Sequence, residues 1–149
     1  MQWLMQQGGL PAARAFNCLG FPDPDPILGH FGTHPDAMGR LLLNEERVAE
    51  FFERVHRRFL TGTREFYFYC RSGNHRSVAL VELRAHVCNK TGLASATVDH
   101  MMQWKWPTMK CRICNACDSE RAGYQRTVAA HYEKMLTIAR ATLDRDRRR

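Results

Sequence analysis

Apolar and polar positions along this chain change period in step, and the changes mark out its elements. Arg14-Ala-Phe-Asn-Cys18 reads as a short first strand. From 19 to 43 the periodicity is lost among Pro, Gly, His and Asp. Alternate prolines in Phe21-Pro-Asp-Pro-Asp-Pro26 remove backbone donors and hold their neighbours extended, so a long loop is expected, of the kind that carries function or moves. His30 and His34 lie in it, where a lid is a role open to them. Asn44 is a good N-cap, and Glu45 and Glu46 suit the positive end of a helix. Val48, Phe51, Phe52, Val55 and Phe59 then recur at helical spacing, with Arg47, Arg54, Arg57 and Arg58 mostly off that stripe. Thr61-Gly62-Thr63 stops this helix.

Arg64 to Tyr69 is the strongest strand, and its run of aromatics is that of a central strand covered on both faces. Ser77 to Val87 is a helix apolar on most sides, with Cys88 read as core, and Asn89-Lys-Thr-Gly92 ends it. Ser95 to Asp99 is a further short strand, and Met101 to Pro107 is apolar and holds Trp104 and Trp106. A cysteine-rich loop spans 107–118, and Ser119 caps a last helix, to about 145, carried by Tyr124, Val128, His131, Met135 and Ile138. Strands alternating with helices predict an α/β fold: a single domain over 1–149, built as a small three-layer sandwich on a mainly parallel sheet. Ligands in such sheets sit at the carboxyl ends of the strands. Cys70 and His100 both follow predicted strands directly.

Composition narrows the partners. The chain has 149 residues, 44% hydrophobic and 25% charged, enough for one globular core. No apolar run approaches the ~20 residues that span a bilayer, and Met1-Gln-Trp-Leu-Met-Gln-Gln lacks the basic start and apolar stretch of a signal peptide. A cytoplasmic protein with no membrane partner is expected. A net charge of +7 favours anionic partners: phosphorylated metabolites, nucleotides among them, RNA, DNA or acidic lipid heads. Part of the excess lies in Asp144-Arg-Asp-Arg-Arg-Arg149, read as a frayed, solvated tail or else as a nucleic-acid contact.

The candidate chemistry sits between Cys70 and Ser77. Strand, tight loop and helix aim backbone N–H groups and a helix dipole at an anion. Cys70 and Arg76 bracket the loop Arg71-Ser72-Gly73-Asn74-His75. A thiolate beside Arg at a helix N-terminus is stabilised, and Arg76 can grip two oxygens of a phosphate. Gly73 permits the turn, His75 can donate to the anion, and Ser77 can bond the anion or cap the helix. The expected ligand set is Cys70, Arg71, Ser72, Gly73, Asn74, His75, Arg76 and Ser77, with His100 facing the same pocket; packing or a zinc ligand are the other roles open to His100.

Two families share this spacing. Cysteine-dependent phosphatases use Cys, five residues, Arg, then Ser or Thr, and the resemblance implies catalytic roles for Cys70 as nucleophile and Arg76 as binder of the transferring group. Those enzymes usually carry His before the Cys, where this chain has Tyr69, and need an acid, for which Asp23, Asp25, Asp36 and Asp99 are candidates. The closer resemblance is to the C-terminal domain of the RapZ family of RNase adapter proteins, whose strand ends in Gly-Cys-Thr-Gly-Gly-x-His-Arg-Ser-Val. Cys70, Gly73, His75, Arg76, Ser77 and Val78 match it, and Arg71 and Ser72 replace its Thr and Gly. The resemblance spans residues 13 to 104. Near the first strand the family's Asp-x-Arg-Phe and Asn-Pro are echoed only by Arg14, Phe16 and Pro22 or Pro24. It implies a sensor of phosphate or a phosphosugar that, in bacterial members, also contacts a small RNA and a nuclease. Those members add a P-loop domain; this chain has no Gly-x4-Gly-Lys-Ser/Thr match, so no ATP site of that kind is expected.

Cys111-x2-Cys114-x2-Cys117 has the knuckle spacing of thiolates on one metal. Structural zinc with Asp118, His100 or Cys18 as fourth ligand is the leading expectation, beside reduced unliganded thiols, an iron–sulfur cluster or a disulfide. Trp104 and Trp106 suit core closure, or stacking on a sugar or base.

Overall fold

Two short strands lie parallel at the centre of the chain's architecture, with helices and turns joining them. The computed structural model describes residues 14–23, 30–71, 73, 75–101 and 122–148. Strand β1, Ala15–Asn17, pairs with β2, Tyr67–Tyr69, in the register Ala15–Tyr67, Phe16–Phe68 and Asn17–Tyr69. Parallel pairing needs a long crossover, and helices α1 (Pro35–Leu42) and α2 (Glu45–Leu60) supply it. Helix α3 (Arg76–Thr91) follows β2, and α4 (Ala122–Arg147) packs against α1, α2 and α3.

Each helix has a local cause. The Asn44 side chain accepts the Arg47 N–H at 3.2 Å to start α2, which buries Val48, Phe51, Phe52, Val55 and His56. The Thr61 hydroxyl donates to the Arg58 carbonyl at 2.9 Å, and Gly62 at φ +95° turns the chain away. Phe51 carries the sheet contact, its ring 6.0 Å from Phe16 and 5.5 Å from Phe68. Helix α3 buries Val78, Ala79, Leu80, Leu83 and Val87 and stops at Gly92 in the left-handed conformation. Met135, Leu136, Ile138 and Ala139 of α4 close the core from the far side.

Several expectations are corrected. The segment 19–43 is not all loop: α1 forms within it, with Pro35 in its first turn and the His34 Nδ1 accepting the Asp36 N–H at 3.2 Å. Its apolar residues Ala37, Met38, Leu41 and Leu42 are buried, but Gly39 interrupts the helical signal. Gly39 is there because α4 crosses at that point: a Cβ would stand 2.9 Å from the His131 ring. Strand β2 is three residues rather than six, matching the three residues of β1 with which it pairs. Its sheet is two-stranded among the described residues. Ser95–Asp99 makes no strand. Asn89 explains why: its side-chain amide takes both the N–H and the carbonyl of Ala96, at 2.7 and 3.0 Å, in place of a neighbouring strand. A groove of about 440 Å³ separates this segment from β2. Helix α4 runs to Arg147, through the first part of the expected frayed tail. The cysteine-rich loop 107–118, Trp104, Trp106 and Ser119 lie outside the described residues. No helix among the described residues is long and apolar enough to cross a membrane.

Candidate functional site

The aromatic residues of β2 deliver Cys70 to the carboxyl end of the strand, where it is buried. Gly73, at φ +71°, lets the chain reverse into α3. Among the described residues no side chain caps α3, and His75 stands at the cap position without a capping bond. The first free N–H groups turn inward instead. Those of Gly73, His75 and Ser77 all donate to the Cys70 sulfur, and the Ser77 hydroxyl lies 3.2 Å from it. Burial pushes the Cys70 thiol up, but the Ser77 hydroxyl and then these three N–H groups outweigh burial. The thiol is held below its ordinary range.

The loop after β1 forms the opposite wall. Arg76 Nη1 donates to the Phe21 carbonyl at 3.0 Å and leans toward that of Leu19 at 3.4 Å. Its Nε is buried without a hydrogen-bond partner among the described residues. One end of the guanidinium is therefore anchored, and among the described residues the Nε–Nη2 edge, the fork that meets two oxygens of an oxyanion, is left over. His75 Nδ1 lies 3.0 Å from the Asp23 carboxylate, and its Nε2 is buried with no partner among the described residues. Arg71 is exposed. Ser72 and Asn74 lie outside the described residues.

His100 is brought to the same place. With Tyr69, Gly73, Ser77, Val78 and Asp99 it lines a cleft of about 90 Å³, and its Nε2 is held 2.7 Å from Glu82 of α3. Of the acids named from sequence, Asp23 and Asp99 reach the neighbourhood of the loop, Asp36 sits on α1, and Asp25 is not described.

Sequence reasoning missed the part that two residues play here. Gly32 presses on the first turn of α3: a Cβ there would fall 2.1 Å from the His75 carbonyl oxygen and 2.5 Å from the Ala79 nitrogen. Cys18, read from sequence only as a zinc ligand, stands at the end of β1, wholly buried, with its N–H donating to the Tyr69 carbonyl at 2.8 Å. Burial first, then the charge on Cys70, pushes the Cys18 thiol far above its ordinary range. Glycine-rich composition and an isolated cysteine are the only marks either left in the sequence.

His30, His34 and Asp36 could together hold a metal, since their ligand atoms lie within 4.8 Å of one another. The two imidazoles, however, stack 3.8 Å apart and parallel to within 4°. An ion lies in the plane of each ring that binds it, so one ring must turn before both hold the same ion. The expected zinc ligands Cys111, Cys114 and Cys117 are outside the described residues. No family model, curated protein or solved structure matches this chain.

Proposed function

We propose that this chain is a phosphate- or phosphosugar-binding sensor or adapter domain of the RapZ C-terminal type, a small three-layer α/β sandwich that holds its anion over the Cys70–Ser77 loop. One observation carries the reading: the N–H groups of Ser77, Gly73 and His75 favour negative charge on the Cys70 sulfur at the carboxyl end of β2, and the Nε of Arg76, in the same turn, is buried without a partner among the described residues. Donors gathered in this way lower the energy of negative charge wherever it sits in the cup. The Cys70 sulfur is at the floor, the anion seats above it, and the Arg76 fork and His75 Nε2 meet its oxygens. The Asp23 carboxylate, 3.0 Å from Nδ1, orients the His75 ring toward the anion. Aromatic residues of β2 and His100 then flank the organic part of a phosphosugar. RNA contact through the arginines of α2 and structural zinc on Cys111, Cys114 and Cys117 belong to the same reading. Elemental analysis of the purified protein tests the zinc.

The lowered Cys70 thiol favours a second reading, cysteine-dependent phosphoester hydrolysis. A Cys70 thiolate would attack phosphorus, the ester oxygen would leave as an alcohol protonated by Asp23 or Asp99, and water would then cleave the phosphocysteine. One experiment separates the two. Incubation with p-nitrophenyl phosphate and a panel of phosphosugars is followed for released product and for shifts in melting temperature. Melting shifts without turnover support the sensor. Turnover abolished by Cys70→Ser rejects it for the enzyme. Neither response, at any phosphorylated compound or at inorganic phosphate, removes both.

A further inference from the structure

The strand pairing continues one step beyond the sheet. Asn17 stands opposite Tyr69, and the Cys18 N–H to Tyr69 carbonyl bond extends the ladder, so the next residues, Cys18 and Cys70, lie side by side at the ends of two parallel strands. Neighbouring strands are about 4.8 Å apart, inside the Cα separation of roughly 4.4–6.8 Å that a disulfide requires. Both are free thiols, 0% and 2% exposed, and both belong to one packed cluster. Cys88, the third described cysteine, is engaged elsewhere, its sulfur 2.8 Å from Arg84 Nη1.

We infer that Cys18 is the resolving partner of Cys70: a hydroperoxide oxidises Cys70, and the pair then closes into an intramolecular disulfide that empties the N–H cup. In the first step the Cys70 thiolate attacks one oxygen of hydrogen peroxide. The S–O bond forms, the O–O bond breaks, hydroxide leaves into the solvent, and the sulfenic acid results. In the second step the Cys18 sulfur attacks the Cys70 sulfur. The S–S bond forms, the S–O bond breaks, and the hydroxyl leaves as water with the Cys18 proton. Two electrons pass from the two sulfurs to peroxide. The order follows from the environments: the Cys70 thiol is held below its ordinary range and ionises the more readily, while burial, and then the charge on Cys70, push the Cys18 thiol up. Drawing the Cys70 sulfur toward β1 takes it off the Gly73, His75 and Ser77 N–H groups. Only this consequence rests on the anion-binding reading; the disulfide itself does not.

The test treats reduced full-length protein with hydrogen peroxide, blocks remaining thiols, and maps peptides by mass spectrometry without reduction. Sulfate affinity is measured before and after. The expected result is a linked Cys18–Cys70 peptide that accumulates in proportion to the loss of sulfate binding, both reversed by dithiothreitol. In Cys18→Ala the link is absent and Cys70 goes on to sulfinic acid, which dithiothreitol does not restore. Cys70 paired with a different cysteine, or sulfinic acid formed as fast in the wild type as in the variant, overturns the inference. A link formed in a protein that never binds sulfate leaves the resolving role standing and removes the anion site. The wild-type peptide map decides the matter even where Cys18→Ala fails to fold.

Discussion

Gly32→Ala is the substitution whose effect the geometry defines most sharply. The added Cβ would meet the His75 carbonyl oxygen at 2.1 Å and the Ala79 nitrogen at 2.5 Å, with Val78 Cβ at 2.7 Å. The first two atoms are the acceptor and donor of the first hydrogen bond of α3, 2.9 Å long. Both are main chain, so no side chain can swing aside to make room. Ordinary contact begins at about 3.4 Å, and either the Phe31–Thr33 turn lifts by about 1 Å or the first turn of α3 opens. Overpacking of this kind costs about 1–3 kcal/mol, and the absence of a flexible neighbour puts this site at the upper end. For a domain of this size the melting temperature falls by on the order of 5–10 °C. Because His75 and Ser77 direct their N–H groups from that turn, sulfate affinity falls with it. Thermal unfolding and a sulfate titration measure the two effects. Gly123→Ala is the control: its Cβ meets nothing within 4 Å, and a helical Gly to Ala exchange is stabilising by up to ~1 kcal/mol. A Gly32→Ala protein that melts with the wild type and binds sulfate equally would refute the close approach and the role given to it.

Further outcomes follow from the same contacts. Ser77→Ala removes a hydroxyl hydrogen bond to a thiolate, about 1.5–3 kcal/mol, so alkylation of Cys70 by iodoacetamide near neutral pH slows by roughly tenfold or more; an unchanged rate would dismiss Ser77 as a stabiliser. The folded Cys70 thiol lies below its ordinary value, so its ionisation stabilises the fold above the ordinary thiol range, and that contribution is lost as pH falls through the lowered folded value. The gap in melting temperature between wild type and Ser77→Ala therefore widens as pH rises and closes on acidification; a gap that is flat with pH contradicts the assignment. Arg76→Lys keeps the charge but loses the fork, so sulfate affinity by calorimetry drops roughly tenfold, and an Arg76→Lys variant of wild-type affinity would show that the fork is unused. Phe51→Ala, at a residue 3% exposed that packs on Phe16, Phe21 and Phe68, costs about 3–5 kcal/mol in chemical denaturation; a loss under about 1 kcal/mol would place the core elsewhere.

Sequence alone determined what local chemistry governs. Asn44 as a cap, Gly62 and Gly92 as stops, and the aromatic strand running into a Gly-bearing turn and an apolar helix act within a few residues of themselves, and all stand in the structure, the strand shortened to Tyr67–Tyr69. The parallel strand pair followed from the alternation of elements. Helix α1 carried a legible start in His34-Pro35-Asp36, which a Gly needed for the α4 crossing obscured. Tertiary structure decided the rest. Arg76 reaches the Phe21 carbonyl and His75 the Asp23 carboxylate across 55 and 52 positions of chain, Gly32 lies against α3, and Cys18 comes to rest beside Cys70. Contacts at such separations depend on where the crossover helices bury their apolar faces, a balance struck over the whole core, and no short stretch of residues encodes it.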